Sequence, residues 1–98
     1  MSRLEFEWDP AKSAANLRNH GIDFESAKQL WDDPNAITGP AMVTPEPRFM
    51  TVARLSDKTW SAVHTYRNGR IRLISVGRSR FDETAAYEAA IYAKTRQG

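Results

Sequence analysis

The dipeptide Asn68-Gly69 restricts the possible folds of this 98-residue chain more than any other feature. Both residues tolerate the positive φ that a two-residue type I′ turn requires, and alternating segments flank them at 60–67 and 70–78. A loop of two residues fixes the register. Thr65 then faces Arg72, His64 faces Leu73, Val63 faces Ile74, and Ala62 faces Ser75. Because strand side chains alternate, one face carries Trp60, Ala62, His64, Tyr66, Ile71, Leu73 and Ser75. The other carries Ser61, Val63, Thr65, Arg67, Arg70, Arg72, Ile74, Val76 and Arg78. The first reads as a core face containing a histidine. The second fits a concave sheet with a partly covered aliphatic centre and a basic rim.

The rest of the chain reads around this hairpin. Residues 5–8 alternate as a short strand would. Asp9 is a good N-cap, Pro10 suits the first helical position, and Gly21 suits a left-handed C-terminal cap, which predicts a helix to His20. Ala11, Ala14, Leu17 and Arg18 share one side of it, while Lys12, Asn16 and His20 form a polar line on another. A second helix is expected after Asp23, with Phe24, Ala27, Leu30 and Trp31 as its apolar stripe, stopping before Pro34. Residues 35–47 hold Gly39, Pro40, Pro45 and Pro47 and read as a loop with a brief strand at 36–38. A strand at 48–56 and a turn at Asp57-Lys58 lead into the hairpin. A final helix is expected at 82–95, capped by Asp82 or Ser79. The whole predicts a single α+β domain over residues 1–98: a small antiparallel sheet with two N-terminal helices and one C-terminal helix.

Charge is unevenly spread. Residues 1–50 hold five Lys and Arg against eight Asp and Glu; residues 51–98 hold nine against four. Arg67, Arg70, Arg72, Arg78 and Arg80 form the densest basic stretch, with no acid among residues 67–80. That asymmetry suits an anionic partner, although a solvated sheet edge would look similar. Arg67 and Arg70 flank the turn, where exposure alone accounts for them. Arg72 lies in mid-strand and Arg78 at a strand end, where a charge needs a reason. His64 equally suits a satisfied core position, His20 a helix end, and Lys12 a solvated first turn.

Several chemistries lack their signatures. With two histidines and no cysteine, no zinc-ligand pattern is present, and no cofactor or metal is expected. No glycine-rich phosphate loop or nucleophile elbow occurs. The N-terminus has no apolar signal segment, and no run approaches a membrane span, so a cytoplasmic location without membrane contact is expected. Metal-free RNA cleavage stays open. It needs a base near a 2′-hydroxyl, a cation for the charged phosphorane and an acid for the leaving oxygen, which Arg, Lys, His and Tyr can supply.

Ordered blocks along the chain resemble the BrnT toxins. They include residues 6–12, 16–25 and Asp32-Asp33-Pro34, then Arg48-Phe49, 64–67 and 70–75. The string W-D-x-x-K-x-x-x-N-x-x-x-H-G, from Trp8 to Gly21, is the most specific. The resemblance implies a RelE-like fold and a growth-inhibiting endoribonuclease. It further implies neutralisation by a BrnA-like, DNA-binding antitoxin, through which operator DNA is bound, with two toxin copies common in the complex. It places Lys12, His20, His64, Arg70, Arg72, Ser75 and Arg78 in motif positions. The expected roles follow. Arg72 and Arg78 stabilise the scissile phosphate, and His64 or Lys12 carries the proton. Arg67, Arg70, Arg80, His20, Ser75 and Tyr87 contact RNA, with Tyr87 stacking on a base or acting as acid. The chain departs from the family pattern at Gly77, where a basic side chain is usual, and in a last helix whose only basic residues are Lys94 and Arg96. A non-catalytic relative that binds its antitoxin as a co-repressor is therefore the alternative.

Overall fold

The computed structural model describes residues 4–42 and 46–97; residues 1–3, 43–45 and 98 lie outside this description. The chain order is β1 (Phe6–Glu7), α1 (Pro10–His20), α2 (Phe24–Ala27), a 3₁₀ segment (Lys28–Asp32), β2 (Ile37–Met42), β3 (Arg48–Leu55), β4 (Lys58–Arg67), β5 (Arg70–Arg78) and α3 (Phe81–Gln97). The α+β class holds, but the sheet is mixed rather than antiparallel. Its order is β1-β5-β4-β3-β2, and β1 pairs parallel to β5. The second helix is also shorter than expected: one α-helical turn tightens into 3₁₀ before Asp33. That aspartate accepts the backbone N–H groups of Asn35 and Arg54 and the Tyr87 hydroxyl, which ties the end of the segment to β3 and α3. The brief strand expected at 36–38 within the 35–47 loop is present but longer, a six-residue edge strand over Ile37–Met42, and the part of the expected loop at 43–45 lies outside the described residues.

The turns follow the local chemistry. Asn68 and Gly69 adopt φ of 52° and 76°, and the β3–β4 turn sits at Ser56-Asp57, with Leu55 facing Lys58. Beyond the hairpin turn, Thr65 faces Arg72 and His64 faces Leu73, as the two-residue loop dictates. The register then shifts. Val63 faces Ser75, Ala62 faces Val76, and Trp60 faces Arg78, leaving Ile74 as the extra residue of a β-bulge. The shift overturns the strict alternation expected on β5. Val76 joins Ile71 and Leu73 inside, and Ser75 moves to the other face.

The core lies between the helical hairpin and one sheet face. Ile22, Phe24, Ala27 and Leu30 pack on Ala53, Trp60, Ala62, Ile71, Leu73 and Val76. Helix α3 lies across the opposite face, where Tyr87 is buried. Its N-cap position is Arg80, not Asp82 or Ser79. The Thr84 N–H bonds the Arg80 carbonyl, and the Glu83 carboxylate accepts the Arg80 N–H, half of a capping box.

Helix α1 has the boundaries and caps read from sequence, but its inner side is inverted. Ala11, Ala14 and Leu17 are exposed, and the buried residue is Asn16. The Asn16 carboxamide lies along the edge of β5. Its Nδ2 donates to the Val76 and Ile22 carbonyls at 2.9 and 2.8 Å, and its Oδ1 accepts the Val76 N–H at 3.1 Å. The side chain thus satisfies Val76 as a neighbouring strand would. Replacing Asn16 with Ala should strand three buried backbone groups and lower stability by about 3 kcal/mol. A urea midpoint shift with unchanged slope would report it; a loss below about 1 kcal/mol would contradict the clamp.

Candidate active site

The five arginines of the basic stretch divide into two sets. Arg67 pairs with Glu46 at 2.9 Å, Arg70 with Glu5 at 3.1 Å, and Arg72 with Glu7 at 2.9 Å. The carboxylates flanking and within β1 lie beside the hairpin because β1 runs parallel to β5, with Glu7 opposite Arg72. Among the described residues, Arg78 and Arg80 make no ion pair. Arg72 and Arg78 are also separated by the bulge. Arg72 shares the face of Thr65, whereas Arg78 lies opposite Trp60 with its guanidinium 5.7 Å from the indole centroid. The structure therefore does not bring this expected catalytic pair together.

A groove of about 450 Å³ collects a different set. His20, Ala41, Met50, Ser61, Ser75, Val76, Gly77, Arg78, Arg80 and Glu83 line it. Of the residues singled out from sequence, His20, Ser75, Arg78 and Arg80 meet here. Its floor consists of small residues of β4 and β5. One wall is the last residue of α1, and the other is the first turn of α3. Glu83 Oε1 accepts from Ser61 Oγ and from the Arg80 N–H, both at 2.8 Å, and Ser79 Oγ in turn donates to Ser61 Oγ. These contacts hold Oε1 and leave Oε2 without a bond among the described residues. The imidazole of His20 rests against Gly77: a Cβ at position 77 would lie 3.4 Å from Nδ1. Arg80 and Arg78 supply cations at the end of β5. An apolar recess of about 320 Å³ adjoins the groove through Met50 and Glu83 and includes Ile37, Pro40, Val52 and Ala86.

Besides Arg67, Arg70 and Arg72, three more candidates lie outside the groove. Lys12 is exposed two turns before His20, about 12 Å away along the helix axis. Tyr87 is only 2% exposed, too little for base stacking. Its hydroxyl donates to Asp33 at 2.6 Å, and Arg54 covers its ring. Burial, reinforced by Asp33, pushes the phenol up to about 12, so it serves as a latch for α3 rather than an acid. Burial opposes ionisation of Asp33, but the hydrogen bonds from Tyr87, Arg54 and Asn35 outweigh it and keep the carboxyl below its ordinary value. His64 is fully buried among Trp31, Phe49 and Tyr66. Its Nε2 lies 2.8 Å from Thr51 Oγ1, itself 2.7 Å from Thr38 Oγ1, a polar chain across β4, β3 and β2. Nδ1 has no partner. A proton on Nε2 leaves only a bare lone pair there, which costs less than an orphaned N–H would.

Sequence reading missed Glu83 and Ser61. Glu83 carried a local signal, because an acid three residues into a helix can bond the cap N–H. Ser61 carried none; only the fold brings it under α3.

This is a small α+β domain whose cleft joins unpaired arginines to an imidazole and a carboxylate, a set suited to holding and cutting a phosphodiester. The chain belongs to the BrnT family: the family model described as the ribonuclease toxin BrnT of type II toxin–antitoxin systems matches residues 8–83. That span begins at Trp8, where the W-D motif begins, and ends at the groove residue Glu83. No curated protein matches the chain. Membership implies a type II toxin of the ribonuclease kind with an antitoxin as partner. Among the described residues, no helix is long and apolar enough to cross a membrane.

His64 makes a test of its own. Desolvation pushes its imidazole down to about 4, below the ordinary value near 6.5. Between these limits the unfolded chain binds the proton and the folded chain does not. Stability is therefore complete above about pH 6.5 and falls as pH drops towards 4, by up to roughly 3 kcal/mol. Denaturation across this window should show the decline, and His64→Phe should flatten it. An equally steep decline in that variant would refute the assignment.

Proposed function

We propose that the chain is an endoribonuclease toxin that cuts RNA in the groove between His20 and the N-terminus of α3. The observation carrying this proposal is the meeting of His20, Glu83, Arg78 and Arg80 at one cleft, while the other arginines of the stretch are neutralised by carboxylates. Arg80 holds the scissile phosphate and stabilises the charge that develops on it; Arg78, at the border, takes the next phosphate. Glu83, with Oε1 held and Oε2 unbonded, accepts the proton of the 2′-hydroxyl. That oxygen attacks the adjacent phosphorus, the bond from phosphorus to the 5′-oxygen breaks, and His20 protonates the departing oxygen. The products are a 2′,3′-cyclic phosphate and a 5′-hydroxyl end. The adjoining apolar recess suits a nucleobase.

The chemistry is metal-independent, because the groove supplies its own cations and proton carriers. The likeness to the family supports a RelE-like fold, a cytoplasmic setting and silencing by a BrnA-like antitoxin. It also supports two toxin copies in the complex and contact with operator DNA through the antitoxin alone. Gly77 does not weigh for a non-catalytic relative, since the His20 ring occupies the space a side chain there would fill.

Induction of the chain without its antitoxin should arrest growth, and the purified chain should cut RNA in the presence of a chelator. His20→Gln and Glu83→Gln should each lower kcat by about 10²- to 10⁴-fold. Arg80→Ala should cost about 10²-fold. Arg72→Ala should stay within a few-fold of the parent. A reversed order, with Arg72 essential and Arg80 dispensable, would move the site to the opposite end of β5.

A further inference from the structure

The geometry points to Gly77 as a positioning residue: its missing side chain is the seat that holds the His20 imidazole in the groove. This inference rests on the ribonuclease site proposed above and specifies what sets its histidine. Gly77 has no left-handed backbone to explain it. It lies in a regular part of β5, opposite Ser61, where any residue could adopt the conformation. What is specific is the space above it. A Cβ would lie 3.4 Å from His20 Nδ1, 3.8 Å from Cε1 and 3.9 Å from Cγ, with no other group as near. A methyl group there would just touch the ring, and anything larger would displace it.

Both halves of the contact are fixed in place. Asn16 clamps α1 to the backbone of Val76, the residue before Gly77. His20 follows Asn16 by one helical turn on the same side of α1. Gly21 then ends the helix at φ 81° with its N–H on Leu17, so the backbone beyond His20 turns away without unwinding the last turn. The clamp therefore sets the height of His20 over β5, and Gly77 sets how closely the ring can approach. The histidine itself is exposed, and among the described residues no hydrogen bond holds it. Shape alone gives it one orientation, with Nδ1 towards the strand and the opposite edge of the ring towards the cleft.

The test combines kinetics with NMR on the antitoxin-free chain. A nuclear Overhauser effect between the Gly77 α-protons and the His20 ring is expected in the parent. Gly77→Ala should lower kcat a few-fold. Gly77→Val should lower it about 100-fold, the usual result of moving a catalytic group by about 1 Å, with KM within about threefold. Neither substitution should lower Tm, since both residues suit a strand better than glycine does. In a His20→Ala background, Gly77→Val should cost nothing more, which a merely structural role would not produce. Full kcat in Gly77→Val, or additive losses in the double variant, would overturn the positioning role. Absence of the Overhauser contact would overturn the seat itself. A parent that shows the contact but cuts no RNA would instead overturn the ribonuclease site and the catalytic meaning of the seat, leaving the contact standing.

Discussion

The carboxamide of Asn16 is the interaction on which the remaining geometry depends. Strand β1 covers only the first part of β5, pairing at Ile71 and Arg72. Further along, the Val76 N–H and carbonyl would face an unpaired edge beneath α1. One buried side chain satisfies both, and takes the Ile22 carbonyl as well. Helix α1 is thereby fixed by polar bonds at a point where its own apolar residues are exposed. Its C-terminal residue, the departure of the chain towards α2 and the wall of the groove all inherit their positions from that attachment.

A second constraint is the bulge at Ile74. It allows Val76 to enter the core on a strand whose earlier part buries Ile71 and Leu73. The same irregularity moves Ser75 and Gly77 to the face under α3 and places Arg78 beside Trp60. The far end of the hairpin is therefore the one that borders the proposed site, while the end near the turn is occupied by ion pairs with Glu5, Glu7 and Glu46. The buried chain from His64 through Thr51 to Thr38 ties the three central and outer strands together beneath this arrangement.

Features with a local cause were legible in the sequence. The limits of α1 followed from Asp9, Pro10 and Gly21, and the hairpin turn from Asn68-Gly69. The pairings nearest that turn followed from loop length. Features decided at long range were not legible. The bulge depends on which β5 residues the helical hairpin must cover, and the parallel pairing of β1 on a partner more than 60 residues away. The 3₁₀ tightening before Asp33 depends on bonds from β3 and α3. The same division runs through the site. His20, Ser75, Arg78 and Arg80 stood out as polar or basic residues in patterned places, whereas Ser61 gained a role only from α3 lying over it. The basic stretch looked uniform because its neutralising acids lie outside it, Glu46 21 residues before Arg67, and Glu5 and Glu7 65 residues before Arg70 and Arg72.

That neutralisation limits how the protein can meet a polyanion. Two unpaired arginines displace counterions from about two phosphates, so the logarithm of affinity for a single strand should fall against the logarithm of salt with a slope of about −1.4. Proteins that track long backbones have far steeper slopes. A cleft with so small an electrostatic footprint gains little from non-specific sliding and has to rely on local fit over one or two nucleotides. Its encounters with RNA should thus be brief and only modestly sensitive to ionic strength, with discrimination residing in which strands are unpaired enough to enter.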